Sequence, residues 1–274
     1  MSISADQERE FYDANYAQFL KLPEADLICN RRTVVADLAN PSKTIFERRR
    51  LYGAILEALL AEPVQHASVL DYGCGTGDWG LLLAGEGAHV TFLDLSPVAI
   101  QVALRRAAAS GVADRVRGIA RDASDLTCFQ DEEFDLIYAS AAIHHTLKYP
   151  NAFDELMRVL KSGGRLVLAE TFGNNKVLNA GRRTMWRLKG QAEEAGEEIV
   201  FSAEHIELLR SRLKKVEITP MNLLAMAKRL FRGRFENPFV RAAVASAEKI
   251  DGVILTAIPW LKRYCGEVVV VARK

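Results

Sequence analysis

An apolar pair, Val69-Leu70, runs into Asp71-Tyr72 and then into Gly73-Cys74-Gly75-Thr76-Gly77, so a carboxylate stands directly before glycines at alternate positions. Bare main chain of that kind lets a bound molecule lie against the backbone, and glycine accepts the positive φ that such a turn demands. Seventeen residues past Gly77, Asp94 closes a second apolar run, Val90-Thr91-Phe92-Leu93. A carboxylate at that point can accept hydrogen bonds from both hydroxyls of a ribose. Further on, His144-His145 follow Phe134-Asp135-Leu136-Ile137-Tyr138, and Glu170 closes Leu166-Val167-Leu168-Ala169. One imidazole there can act as a general base near neutral pH. Glu170 can orient an amine or take a proton, and holding a neighbouring loop is an equal use for it. For the histidines, packing or capping of a turn is the plainer role.

The elements that position these residues are legible as alternating strands and helices over residues 67–170. Gly87 stops a short helix after the glycine turn, Ser96-Pro97 supply a helix cap and a first-turn proline, and Arg115-Val116-Arg117-Gly118-Ile119-Ala120 reads as a third strand ahead of Asp122. Phe153, Leu156, Met157 and Leu160 stripe an amphipathic helix, which Lys161-Ser162-Gly163-Gly164-Arg165 ends in a tight turn. Such alternation predicts parallel pairing, helices on both faces and a ligand at the carboxyl ends of the strands, where the acids and histidines fall. Upstream, one helix contains Phe11, Tyr12, Tyr16 and Phe19, another is striped by Leu51, Ile55 and Leu59, and the chain around residues 23–41 reads as irregular. Downstream, Ser202 caps a helix through Ile206, Leu209 and Leu213, and Val216-Glu217-Ile218-Thr219 and Glu267-Val268-Val269-Val270-Val271 read as two last strands.

Gly75-Thr76-Gly77-Asp78-Trp79-Gly80 fits the dinucleotide fingerprint, so an NAD(P)-dependent oxidoreductase is one reading. Asp71 argues instead for a cationic ligand, since dinucleotide folds place an apolar residue there. Asp122 adds an acceptor for an adenine amino group, and Ala123 a backbone N–H for its ring. Taken in order, these motifs make residues 69–170 resemble a class I S-adenosylmethionine-dependent methyltransferase of the ubiquinone/menaquinone-biosynthesis type.

That resemblance implies an α/β, Rossmann-like, doubly wound and mostly parallel seven-stranded sheet with an antiparallel C-terminal strand. It implies S-adenosyl-L-methionine as cofactor and S-adenosyl-L-homocysteine as product. Asp71, Gly73, Gly75 and Gly77 would hold the methionine end, Asp94 with Leu95 the ribose, and Asp122 with Ala123 the adenine. Ala139 and Ser140 would pass under the methionine moiety. A preceding helix closes over the cofactor in relatives, which makes Tyr12 and Tyr16 candidates for its carboxylate, although packing accounts for them as well. Asp71 as a helix cap, Asp94 as a turn residue bonded to Ser96, and Cys74 as merely small are the bland alternatives. The reading is methyl transfer to a small-molecule acceptor, with oxygen or nitrogen favoured because a histidine pair suggests proton removal. A non-catalytic S-adenosylmethionine-binding partner protein is the further alternative.

Substrate choice is expected outside the shared core. Residues 1–66 read as a helical cap, and 67–274 as the core with lid insertions at about 171–201 and 221–264. Residues 171–264 carry 17 Lys plus Arg against 10 Asp plus Glu, whereas the whole chain is only +1, so a basic lid sits on an acidic core. The cations concentrate in residues 181–189 and 223–235, mixed with large apolar residues. A helix burying Leu224, Met226, Ala227, Leu230 and Phe231 with its arginines in water explains the second stretch. Contact with an anionic membrane surface, or a clamp on an anionic substrate, explains it too. Ile250, Val253, Ile254, Ile258 and Trp260 can roof a pocket for a lipophilic acceptor, or simply pack.

With 274 residues, 49% of them apolar, and near-zero net charge, the chain has the material for a substantial core and no basic excess that would point to nucleic acid. Cys29, Cys74, Cys128 and Cys265 lack paired spacing, so neither a metal site nor a disulfide framework is expected. A polar start and no bilayer-length apolar run predict a cytoplasmic protein. Nothing in the sequence speaks to oligomeric state.

Overall fold

Along the central strands, apolar residues alternate between two faces and sort into two cores. Val69, Val90, Phe92, Leu136 and Tyr138 pack on one side, and Leu70, Tyr72, Leu93, Ile137 and Ala139 on the other. A computed structural model describes residues 5–147, 149, 151–189 and 201–274. In chain order these form α1 (Ala5–Tyr16), α2 (Glu24–Leu27), α3 (Arg31–Ala39), α4 (Arg49–Leu59), β1 (Ser68–Tyr72), α5 (Asp78–Gly85), β2 (His89–Asp94), α6 (Pro97–Ala109) and β3 (Val116–Ala120). There follow β4 (Phe134–Ser140), α7 (Ile143–Thr146), α8 (Ala152–Val159), β5 (Leu160–Thr171), α9 (Lys176–Lys189), α10 (Ala203–Arg212), β6 (Lys215–Met221), α11 (Pro238–Ala257) and β7 (Glu267–Arg273).

The sheet has seven strands in the order β3-β2-β1-β4-β5-β7-β6. Pairing is parallel from β3 through β5, and β7 runs antiparallel to both β5 and β6. This is the expected Rossmann-like, doubly wound architecture. The strand order reverses direction at β1 and β4, so the crevice beyond their carboxyl ends is the ligand position that this topology creates. Leu51, Ile55 and Leu59 of α4 are all fully buried against the sheet, as their spacing predicts.

Three expectations change. Residues 23–41 are not irregular, because Asn30 and Thr33 form a reciprocal capping box, with Thr33 N donating to Asn30 Oδ1 at 3.0 Å and Asn30 N to Thr33 Oγ1 at 2.9 Å. A local cap starts α3 there without a long apolar stripe. The turn at residues 161–165 is absorbed into β5, where Gly163 N donates to Lys274 O and Lys274 N to Gly164 O, so the end of the chain supplies its partners. In the second insertion, Leu224–Phe231 is a 3-10 helix that buries Ala225, Met226 and Lys228 while Leu224 and Leu230 are exposed. Ile250, Val253, Ile258 and Trp260 are also exposed, hence they roof no pocket. Among the described residues no helix is long and apolar enough to cross a membrane. The side chains at 182–183 and 185–189 of the first basic stretch lie outside the described residues.

Candidate active site

β1 delivers Asp71 and the glycine turn to the carboxyl edge of the sheet. Gly73 N and Cys74 N both donate to Leu93 O of β2, which fixes the turn against its neighbour strand. Gly73, Gly75 and Gly77 all have positive φ. Their reasons differ. A Cβ on Gly73 would lie 2.5 Å from that of Ala142, so Gly73 permits a loop contact, whereas one on Gly75 would meet the Tyr16 hydroxyl at 3.0 Å, above the turn.

Asp94 ends β2 beside that turn. Its Oδ2 accepts from Gly75 N at 2.8 Å and its Oδ1 from Ser96 N at 2.9 Å, while Ser96 Oγ caps α6 by accepting from Ala99 N. Burial pushes the carboxyl pKa up, and the two N–H donors offset that only in part. Asp71 is buried and pushed upward by burial as well, and its Oδ2 accepts from Gly80 N at 3.0 Å in the first turn of α5. It therefore caps that helix beneath the turn. Asp78 differs: burial opposes its charge, but Arg106 at 2.8 Å and the Thr76 hydroxyl bring its pKa below the ordinary range. Arg106 also donates to Thr76 O and Leu27 O, tying the turn to α6 and α2. Cys74 has its thiol raised by burial, which leaves it inert as a nucleophile.

α1 lies across this region. Asp13 Oδ1 accepts from Ser96 Oγ, Tyr16 sits over Gly75, and the Tyr12 and Tyr16 rings stack at 6.0 Å. Burial, then the charge of Asp94, pushes the Tyr16 phenol pKa up and keeps it protonated. Leu95 is half-buried in the bend between Asp94 and α6.

Past β3, Asp122 Oδ1 accepts from Ser124 N at 2.8 Å, which folds the loop so that Ala123 O receives the Tyr72 hydroxyl at 2.7 Å. The same hydroxyl meets Thr146 Oγ1 at 2.7 Å, so Tyr72 joins the Asp122 loop to the histidine segment. Ala139 is buried in β4 between Tyr72 and Leu168, and Ala141 takes a left-handed φ of 51° as the chain leaves the strand. A strained alanine of this kind, held by Ala141 N donating to Ala169 O, aims the next residues across the edge of the sheet.

Glu170 is fully buried at the end of β5. Its Oε1 accepts from Ala142 N and Ile143 N, and its Oε2 meets His144 Nδ1 at 2.7 Å. It thus holds the loop and the imidazole together. His145 stacks at 4.1 Å between ring centres on His144, and its Nδ1 is 3.0 Å from Glu8 Oε1 of α1, out of line for a hydrogen bond. Tyr12 contacts the His145 ring edge-on. The structure accordingly brings Asp71, the glycines, Asp94, Tyr12, Tyr16, His144, His145 and Glu170 to one edge, with Asp122 and Ala123 joined to it through Tyr72. Sequence reasoning missed Asp13, Tyr72 and Arg106. An acid inside α1 or an arginine on α6 carries no local signal, although Tyr72, polar and next to Asp71 in a buried strand, was a readable clue.

Residues 69–164 match the family model described as methyltransferase domain. Over 108 residues the chain is 40% identical to the demethylmenaquinone methyltransferase of Clavibacter sepedonicus, an overlap of 39% of this chain and 42% of that protein. It is 37% identical over 109 residues to the ubiquinone biosynthesis O-methyltransferase of Xylella fastidiosa, an overlap of 39% of this chain and 43% of that one. Phosphoethanolamine N-methyltransferase 2 of Haemonchus contortus, solved with phosphomonomethylethanolamine and S-adenosylhomocysteine, superposes with a TM-score of 0.57 at 19% identity, over 81% of this chain and 52% of that one. The chain spans less than half the length of these two curated relatives. The fold is that of the class I S-adenosylmethionine-dependent methyltransferases. The matched segment ends before Glu170 and before residues 171–264.

Proposed function

We propose that this chain binds S-adenosyl-L-methionine over the glycine turn and transfers its methyl group to an oxygen or nitrogen of a small-molecule acceptor. The observation that carries the reading is the buried His144–Glu170 pair, 2.7 Å apart, on the same sheet edge as Asp94. When bound there, the cofactor supplies an electrophilic methyl group on a sulfonium. The residues present fit it: a bare backbone at Gly75, buried carboxylates that gain from a nearby cation, and oxygens on Asp94 that each retain a lone pair for a ribose hydroxyl.

Glu170 fixes one imidazole geometry. With Nδ1–H directed at its carboxylate, Nε2 of His144 is the atom that receives a proton from the acceptor as the methyl group moves. The Glu170 carboxylate stabilises the positive charge that then develops, and the second histidine, at 4.1 Å between ring centres, lies against the ring. α1, with Tyr12 and Tyr16, keeps water from the turn. The relatives support a small acceptor, since theirs are small molecules by name, and their differing acceptors leave the attacking atom to this chain's own base.

Titration with S-adenosylhomocysteine, followed by incubation with methyl-labelled S-adenosylmethionine and fractionated extract, tests the proposal. Nucleoside uptake with label entering a small-molecule pool supports it. No uptake of either nucleoside would remove it.

A further inference from the structure

The buried charge on the far half of the same edge does not balance. Glu267 is fully buried at the start of β7, where it pairs in register with Met221 of β6 and with Thr171, the last residue of β5. Three cations converge on its carboxylate: Lys228 Nζ at 2.9 Å, Arg48 Nε at 3.3 Å and Arg229 Nη2 at 3.9 Å. Asn222 Nδ2 donates to it as well, while Asn222 Oδ1 accepts from Arg50 Nη1. One negative charge thus faces three positive ones in a largely dry setting, a surplus that buried ion pairs do not normally keep. Glu47 does not correct it, because it is engaged by Arg232 at 2.8 Å.

Two donors in this region are left over. Arg48 spends Nε on Glu267 and Nη1 on the Tyr52 hydroxyl, and its buried Nη2 has no hydrogen-bond partner. The hydroxyl of Tyr138, a residue only 1% exposed, has none either, although Ser140 is near it. The two groups are close enough to influence one another electrostatically. Buried donors without acceptors are rare in folded proteins, and a nearby pair of them calls for an acceptor supplied from outside. Arg48 and Arg229 keep 22% and 23% of their side chains exposed, so both lie near the surface of the cluster, while Lys228, at 1%, is a buried background charge.

The position is also informative. Arg48 lies over the Tyr52 ring at 5.2 Å, Tyr52 contacts Trp79 at 5.7 Å, and Trp79 contacts Tyr138 at 6.1 Å. Trp79 belongs to the first turn of α5, directly after Gly77. An aromatic wall therefore links the cationic cluster to the turn over which the methyl donor would lie.

We propose that Arg48, Arg229 and Tyr138, backed by Lys228, bind an anionic group, a phosphate or carboxylate, carried by the methyl acceptor. This rests on the methyl-transfer reading above and narrows its substrate class. A guanidinium can meet such an oxyanion through paired N–H donors, and the Tyr138 hydroxyl adds a third. The apolar and aromatic walls leave the remainder of the acceptor in dry surroundings beside the sulfonium.

The test titrates inorganic phosphate into the full-length chain saturated with S-adenosylhomocysteine, at constant ionic strength, and repeats it with Arg48→Gln and Tyr138→Phe. The expected result is saturable phosphate binding, weakened about tenfold or more by Arg48→Gln and several-fold by Tyr138→Phe, with nucleoside affinity unchanged in both. Tyr138→Phe removes a single oxygen, so it remains informative should Arg48→Gln fold poorly. Nucleoside binding without phosphate binding, or both variants titrating like the parent, overturns the anion site and leaves methyl transfer standing. Loss of phosphate binding in the variants of a chain that takes up no nucleoside sustains the site and removes the methyl-transfer reading instead. A second arm separates the acceptor's own anion from a free one: extract is split on an anion exchanger and offered with the labelled donor. Label in the retained pool supports the proposal, and label confined to the unretained pool overturns it.

Discussion

The two halves of the sheet's carboxyl edge treat buried charge in opposite ways. On the β1–β2 side, the acids are served by backbone N–H groups and short local contacts: Gly80 on Asp71, and Gly75 with Ser96 on Asp94. On the β5–β7 side, a single acid is outnumbered by side-chain cations drawn from the turn before α4 and from the 3-10 helix Leu224–Phe231. Backbone-served acids form a site fixed by the fold and suited to a cationic nucleoside. Side-chain cations with a spare donor form one that depends on contacts between distant parts of the chain and suits an anion. On the two proposals above, donor and acceptor recognition are separated in space and in chemistry.

That separation can be broken or sharpened by substitution. The largest effect is expected from His144→Asn, which should lower turnover by about 10²- to 10⁴-fold, the usual contribution of a general base, with nucleoside affinity intact. Unchanged turnover in this variant, with nucleoside affinity also unchanged, would assign the base elsewhere. Next, Glu267→Gln should destabilise the fold by about 3–5 kcal/mol, because three cations lose their buried counter-charge, and denaturant unfolding measures this.

The acid sensitivity of the parent chain follows from the same group. Burial opposes the charge of Glu267, but Lys228, Arg48 and Arg229 bring its pKa down to about 2 from an ordinary 4.5. A depressed pKa means that the carboxylate's contribution is complete above about pH 4.5 and is lost as pH falls towards 2. Melting temperatures across that window should therefore fall more steeply in the parent than in Glu267→Gln. Parallel curves would show that other groups control acid unfolding.

Smaller, and confined to the other half, Asp94→Ala should weaken S-adenosylhomocysteine about ten- to a hundredfold, the worth of one charge-assisted hydrogen bond, with little change in phosphate binding. Smallest of all, Tyr16→Phe should change nucleoside affinity by less than about threefold, since it removes one hydroxyl hydrogen bond at most. Calorimetric titration reads both. Coupled losses of nucleoside and phosphate binding in either variant would mean that the two halves are one site.

The donor half was legible in the sequence because its parts are sequential: a strand, a glycine turn, a helix, and an acid at the end of the next strand. Parallel pairing with helices on both faces followed from the alternation of strands and helices for the same reason. The acceptor half was not legible. Arg48 and Glu267 are brought together from opposite ends of the chain, and Tyr138 reads as an ordinary buried strand residue until its hydroxyl is seen to lack a partner. The basic stretch at residues 223–235 misled for a further reason. Among Leu224, Met226 and Leu230, a lysine reads as the solvated face of an amphipathic helix, yet the 3-10 geometry turns Lys228 inward and Leu230 outward. Glu170 was readable as an acid at a strand end, but its engagement by Ala142, Ile143 and His144 depends on a left-handed Ala141 that no local pattern announces.

The first helix carries a kinetic consequence. Its Asp13, Tyr16 and Glu8 rest on Ser96, Gly75 and His145, so one rigid segment touches the floor of the donor site and the histidine at once. On the proposed reading, a nucleoside could enter or leave the turn only if α1 shifted, and the same shift would release the contact between Glu8 and His145.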